Sequence, residues 1–352
     1  MDRSASPRST ILAACGALAL SIIAAACSST ADNAAVATAS GTASQAPAPT
    51  LSVTAVPSPA PPSAGQAGSP AVVAYSSVPY ASRSSSQALD IWVPDGTPGP
   101  VPLVIFVHGG AFVAGDKSMD VEIGNVASVL AAGYAAASVN YRLSGEARFP
   151  AAAQDVKAAV RFLRANASHY GLDPDRFAAW GESAGGHLVA LIGTTGDQET
   201  VLDDPSLGNA GVSSAVQAVV DFFGPTDFLQ MDGQFASAAP AACHGAVLAH
   251  DAADSPESAY LGAAIQTVPD AAAAANPITY IATAKTLPVF LIAHGDSDCE
   301  VPNQQSRILH EALMEAGATA TFNLVPGLGH DEAIATMQTP IALDMLKTVF
   351  GM

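Results

Sequence analysis

The sequence predicts an α/β fold: one large domain with a mostly parallel central sheet, helices on both faces and a small insertion at one edge. Three observations carry that expectation. Short, continuous apolar runs recur at 101–107, 134–139, 177–180, 216–222, 287–293 and 319–325, as in strands covered on both faces. Helix-like stretches lie between most of them, so strand and helix alternate, the pattern of a parallel sheet. Several runs end in loops carrying glycine, serine, histidine or aspartate, which such a sheet gathers at its carboxyl edge.

The elements follow in order. Residues 72–75 and 88–93 are strand candidates, and the alternation in Ala88-Leu89-Asp90-Ile91-Trp92-Val93 suggests an antiparallel, half-buried strand. Pro94-Asp95-Gly96 and Pro98-Gly99-Pro100 punctuate the loop after it. The strand at 101–107 runs into His108-Gly109-Gly110-Ala111-Phe112. Residues 118–132 read as a helix. The strand ending at Val139 leads into Asn140-Tyr141-Arg142-Leu143. Pro150 opens a long helix, with Val156, Ala159, Val160 and Leu163 on one stripe. Asp155 near its start is expected to pair with Arg142. Gly171-Leu172-Asp173-Pro174-Asp175 reads as a loop. Phe177–Trp180 is a strand, Gly181-Glu182-Ser183-Ala184-Gly185 a tight turn, and Leu188–Ile192 the start of an apolar helix. Residues 224–285 break the rhythm without a clear strand and are expected to form a partial lid. The strand at 287–293 leads into His294-Gly295-Asp296-Ser297-Asp298-Cys299. A helix follows that stops at Gly317, and the last strand leads into Pro326-Gly327-Leu328-Gly329-His330. A helix pair is expected at the end.

Composition bounds the function. Of the 352 residues, 31 are acidic and 13 basic, for a net charge of −18, and no basic run exists. Nothing would neutralise phosphates, so nucleic acid is excluded as a partner. Residues 1–27 read as an export signal: Arg3 and Arg8 precede an apolar stretch from Ile11 to Ala26, and Ala24-Ala25-Ala26 precedes Cys27. This end resembles the lipobox of bacterial lipoproteins. Cys27 is the expected lipidation site, and the expected location is the outer face of the cell membrane by a lipid anchor, or the medium. Residues 28–70 hold mostly Ala, Ser, Thr, Pro, Gly and Val, with Asp32 the only charge. Such a segment cannot bury enough surface to offset its ordering entropy, and it reads as a disordered tether. The domain is expected over 71–352.

Four loops then share one sheet edge, carrying Gly109-Gly110, Ser183, Asp298 and His330. Gly181-Glu182-Ser183-Ala184-Gly185 fits G-x-S-x-G in its required strand–turn–helix setting. Serine needs a base to remove its proton, and imidazole titrates near neutral pH and can serve. A carboxylate behind the imidazole fixes its tautomer and stabilises the imidazolium. Asp298 and Asp296 compete for that place. The N–H groups of Gly109 and Gly110, with that of Ala184, could form an oxyanion hole. A phosphate-binding loop is disfavoured because neither glycine-rich nucleotide pattern is present. His108 and His294 read as loop hydrogen-bond formers, and His187 as packed in its helix.

These motifs together resemble the α/β-hydrolase superfamily. The match is strongest to the hormone-sensitive-lipase-like and bacterial feruloyl-esterase-like carboxylesterases, over roughly 72–350. The resemblance implies a triad of Ser183, Asp298 and His330, an oxyanion hole from Gly109, Gly110 and Ala184, and no cofactor or metal. It implies hydrolysis of small to medium acyl esters, on small-molecule or carbohydrate-linked alcohols. Ala111 replaces the third glycine of the lipase H-G-G-G pattern, and H-G-x-x-D-x-x-V-P resembles dipeptidyl peptidases. A prolyl-oligopeptidase-type peptidase and a non-catalytic surface binding protein are the alternatives. Beyond Cys15 and Cys27, only Cys243 and Cys299 remain, and two cysteines in an exported chain favour a disulfide. A metal site at Cys243 and His244 would lack further ligands, and a catalytic thiol at Cys299 would lack a basic neighbour.

Overall fold

A computed structural model of the protein describes residues 72–352, apart from 95, 98, 120–123 and 197. The export signal, Cys27 and the tether over 28–70 lie outside the described residues.

One eight-stranded sheet runs in the order β1-β2-β4-β3-β5-β6-β7-β8. The strands are β1 (Val72–Pro79), β2 (Ala88–Pro94), β3 (Val101–Val107), β4 (Ala135–Val139), β5 (Leu172–Glu182), β6 (Ala218–Phe222), β7 (Val289–Gly295) and β8 (Ala320–Val325). β2 is antiparallel to β1 and β4, as its alternation requires, and the remaining pairs are parallel. Every residue of β3, β4 and β6 is buried, which is why those segments read as unbroken apolar runs.

The two-residue period of the strands sorts the core into two layers. Leu103, Ile105 and Val107 face α2 (Ala151–Ala165), α3 (Ala184–Thr195) and α7 (Gln304–Glu315). Val104 and Phe106 face α1 (Asn125–Ala131) and α8 (Ala333–Phe350) on the other side. α1 begins after Gly124, whose φ of 84° interrupts at that residue the helix expected over 118–132.

Two expectations change. Asp173-Pro174-Asp175 is not a loop but the irregular start of β5, anchored by buried Leu172 opposite Val101. The expected C-terminal helix pair is one helix, α8, running through Pro340. An internal proline costs about 3 kcal/mol. Ile334, Leu346 and Phe350 are buried against the sheet on either side of it, each contributing roughly 1.5–3 kcal/mol, so packing wins.

The 224–285 segment holds no strand among its residues, as expected. It comprises α4 (Met231–Ala238), α5 (Pro256–Leu261), α6 (Pro269–Ala275) and shorter turns. Phe228, Met231, Tyr260 and Ile265 of this segment belong to the main hydrophobic core. Arg142 and Asp155 form the expected buried pair at 2.7 Å, and Gln87 Nε2 donates to the same carboxylate at 2.6 Å.

Candidate active site

Ser183 stands between β5 and α3 with φ 55° and ψ −122°, a conformation foreign to an ordinary serine. Its backbone is held on both sides: its N–H donates to Phe222 O at 2.9 Å and its carbonyl accepts from His187 N at 3.0 Å. The flanking glycines are steric requirements. A Cβ on Gly185 would lie 1.9 Å from Val107 O, and one on Gly181 would lie 2.3 Å from the Gly185 carbonyl. Strand and helix can cross this closely only without side chains. Gly185→Ala should therefore destabilise by more than about 4 kcal/mol or prevent folding, the range of severe steric changes. Thermal melts followed by circular dichroism check this, and a variant melting within a few degrees of wild type contradicts it.

His330 lies in the loop after β8 and reaches back to the turn. Ser183 Oγ donates to its Nε2 at 2.9 Å, and its Nδ1–H donates to Asp298 Oδ2 at 2.8 Å. Asp298 is the acid that meets the base. Asp296, its competitor, instead accepts from Gly327 N at 2.8 Å and Ser297 Oγ at 2.9 Å, holding the His330 loop against the acid loop.

Asp298 is fully buried, and its other oxygen accepts from Glu300 N and Val301 N at 2.8 and 2.9 Å. Burial opposes its charge, but the hydrogen bonds from His294 and His330 outweigh it and hold the carboxyl well below the usual carboxylate range. His294 is the loop hydrogen-bond former expected, its Nε2 3.0 Å from Val301 O, and the same nitrogen lies 3.1 Å from Asp298 Oδ2. Its Nδ1 accepts from the Ser306 hydroxyl at 2.8 Å, which leaves the proton on Nε2, between Val301 O and the acid. Burial favours neutral His330, yet Asp298, with Glu300 and Glu182 beyond it, raises its pKa above the ordinary imidazole value.

The glycine loop stands beside the serine. A Cβ on Gly109 would meet Ser183 Cβ at 3.4 Å, and Gly110 has φ 103° with Ala114 O against the Cβ position at 2.3 Å. Ala184 is the first residue of α3, so its N–H has no partner within the helix. His108 Nδ1 bonds to Gly109 O at 2.8 Å and its ring stacks on Tyr141. His187 packs as expected: its Nδ1 donates to Pro225 O, and burial lowers its pKa to about 4.

Sequence reasoning passed over three neighbours. Burial pushes the Glu182 carboxyl up to about 7, against the Asn125 amide that donates to it at 3.1 Å. Phe223, with φ 45°, sets its ring edge-on to His330 at 4.5 Å. Asp221, beneath the turn, accepts from Gly224 N at 3.0 Å while burial raises its carboxyl to about 7. An acid at the end of an apolar strand, Val219-Val220-Asp221-Phe222, was the available signal for the last.

Asp221 has a consequence for stability. The unfolded carboxyl loses its proton near its ordinary value of 3.8, whereas the folded one keeps it to about 7. Over that window the unfolded state binds fewer protons, so stability falls as pH rises and is level above it. Asp221→Asn should remove on the order of 4 kcal/mol of that pH-dependent loss. Denaturant titrations from pH 4 to pH 8 measure it. Equal slopes for variant and wild type would mean that Asp221 ionises normally.

Cys243 and Cys299 are joined, with 5.5 Å between their Cα atoms and 56 residues of separation. The bond ties the 224–285 segment to the residue after Asp298. Among the described residues no cluster of His, Cys, Asp or Glu could hold a metal ion.

Known proteins resemble the chain closely. Esterase LipQ of Mycobacterium tuberculosis is 30% identical over 282 residues, which is 78% of this chain and 62% of that protein. Esterase LipC of the same organism is 32% identical over 248 residues, 70% of this chain and 57% of its own length. The chain thus spans about three-fifths of these relatives. Among solved structures, a truncated carbohydrate esterase from gut microbiota is 34% identical, with TM-score 0.68 over 79% of this chain and 96% of its own. A bifunctional GH43-CE protein of Bacteroides eggerthii is 34% identical with TM-score 0.69, over 78% of this chain and 38% of its own. A family model described as BD-FAE matches residues 89–313, from β2 through the serine turn and the acid loop into α7, and the chain therefore belongs to the BD-FAE family of the α/β-hydrolase fold.

Proposed function

We propose that this protein is an exported serine carboxylester hydrolase that works through an acyl-enzyme, with Ser183 as nucleophile, His330 as base then acid, and Asp298 as the group that orients it. One observation carries the reading: Ser183 Oγ, the His330 ring and Asp298 form one hydrogen-bonded line of 2.9 and 2.8 Å beside the glycine loop. Ser183 Oγ attacks the ester carbonyl carbon as its proton passes to His330 Nε2. The N–H groups of Gly109, Gly110 and Ala184 receive the oxyanion, each worth on the order of 3 kcal/mol. The C–O bond to the alcohol breaks, and His330 returns the proton to the departing oxygen. Water repeats the cycle on the acyl-enzyme, His330 again taking a proton, and the carboxylic acid leaves. Asp298 stabilises the imidazolium at each stage.

The substrate is a short acyl ester, with a carbohydrate as the favoured alcohol. Glu300, Asp331 and Glu332 are exposed acids in the loops of the acid and base, a polar rim suited to hydroxyls rather than to a long alkyl chain. The 34% identical neighbour titled a carbohydrate esterase supports the same class. Purified 71–352 should hydrolyse p-nitrophenyl acetate and butyrate and release acid from acetylated or feruloylated oligosaccharides. Ser183 should take a fluorophosphonate probe. Turnover of none of these, with Ser183 unlabelled, would leave a binding protein on the same fold.

Export supplies the remaining part of the proposal. Arg3, Arg8, the apolar stretch to Ala26 and Cys27 support a lipid-anchored protein, and the Cys243–Cys299 bond suits an oxidising compartment. Cys27→Ser should move the protein from the membrane fraction into the medium. Wild type found only in soluble fractions would refute anchoring at Cys27.

A further inference from the structure

We propose that Tyr260, which lies in the inserted segment 77 residues beyond the nucleophile in sequence (260 − 183), is a positioning residue that holds the oxyanion loop in its working shape. The inference rests on the esterase reading above and adds to it the device that keeps the glycine N–H groups aimed.

The loop needs holding. Gly110, Ala111, Phe112 and Gly115 all have positive φ, at 103°, 55°, 62° and 111°. Gly110 and Gly115 adopt such angles freely, but Ala111 and Phe112 do not, and side chains there oppose the turn. A strained segment persists only when its surroundings over-determine it. Part of the restraint is local: Val113 N and Ala114 N both donate to Gly110 O at 3.0 Å. Ser144 adds two bonds to Phe112 O, from its N at 2.8 Å and its Oγ at 3.0 Å. These fix the backbone after Phe112.

The ring of Phe112 is fixed by Tyr260. The two rings stack face to face, with centroids 4.1 Å apart and planes 12° from parallel, and each is 1% exposed. His187, on α3 one turn after Ser183, closes the edge of the Phe112 ring at 5.3 Å. Tyr260 is itself anchored, because Phe149 N donates to its carbonyl at 2.7 Å. The insertion thus reaches the Phe112 ring most closely through Tyr260, with Phe228 edge-on to the same ring at 6.1 Å. The Tyr260 hydroxyl is buried without a hydrogen-bond partner among the described residues. It is the ring, not the hydroxyl, that restrains Phe112.

An oxyanion hole acts on the transition state more than on bound substrate, so a misaimed loop lowers kcat and leaves KM nearly unchanged. Tyr260→Leu, which keeps apolar bulk and removes the stack, should lower kcat about 10- to 100-fold on p-nitrophenyl acetate. It should weaken by a similar factor the binding of a trifluoromethyl ketone, which forms an oxyanion on Ser183. Tyr260→Phe should restore both. Leu163→Ala, a cavity in the last turn of α2, serves as the stability control: it should lower Tm and leave both readouts in place. Should Tyr260→Leu fail to fold, Tyr260→Met supplies the same comparison at a temperature below its melt. Wild-type kcat and ketone affinity in a folded Leu or Met variant would overturn the inference, as would failure of the Phe variant. A wild-type enzyme that neither hydrolyses the ester nor binds the ketone would instead defeat the esterase reading.

Discussion

Ser183→Ala should lower kcat by about ten-thousand- to a million-fold, with Tm close to that of wild type. The hydroxyl touches His330 Nε2 and is not the group that holds the turn. The turn is held by Ser183 N on Phe222 O, Ser183 O under His187 N, and the glycine crossings at 181 and 185. Alanine keeps all of these and removes only the nucleophile. Serine hydrolases stripped of one triad member retain the modest acceleration that oxyanion donors and binding provide, which sets the size of the fall. His330→Ala should fall as far, and the double variant little further, because the two act as one unit. Stopped assays on p-nitrophenyl butyrate with matched thermal melts are sufficient. A Ser183→Ala enzyme within a hundredfold of wild type would place the nucleophile elsewhere.

Reduction of Cys243–Cys299 is the second large change expected. The bond spans 56 residues of sequence, and the loop-closure model assigns such a link about 4 kcal/mol. Activity should fall with stability, because Cys299 adjoins Asp298 and Leu248 N donates to Cys299 O at 3.3 Å. Release of the insertion loosens the backbone on which the acid is mounted. The expected signature is a fall in Tm on adding dithiothreitol, accompanied by a fall in kcat that Cys243→Ser reproduces without reductant. If the Ser variant keeps full activity and the wild-type Tm, the bond is incidental to both.

Most of the architecture was legible because it depends on local pattern. Continuous apolar strands, glycine-flanked Ser183 and histidine after the last strand each announce themselves within a few residues. What escaped depends on distance. Pro340 reads as a break until the burial of Leu346 and Phe350 against the sheet is set against it. Asp173-Pro174-Asp175 reads as a turn until Leu172 is seen opposite Val101. Asp296 and Asp298 sit two residues apart, and their separate duties follow from which one faces His330 across the fold. Glu182 lay inside the motif, but its raised pKa comes from burial in the folded chain, which outweighs the hydrogen bond from Asn125, 57 positions away. The Phe112–Tyr260 stack joins two segments with no shared periodicity.

The order of strands has a consequence for how the enzyme wears under heat. β3 and β5, which carry the glycine loop and Ser183, are neighbours in the middle of the sheet, and Gly185 locks the helix onto the end of β3. The acid and the base hang from β7 and β8, and β8 is the outermost strand, only one of its six residues fully buried. A margin opens at lower free energy than a centre. The loop that carries His330 should therefore loosen on warming before the turn that carries Ser183. Inactivation on moderate warming should then be a loss of the base from an intact nucleophile, reversed by cooling while the central strands stay paired.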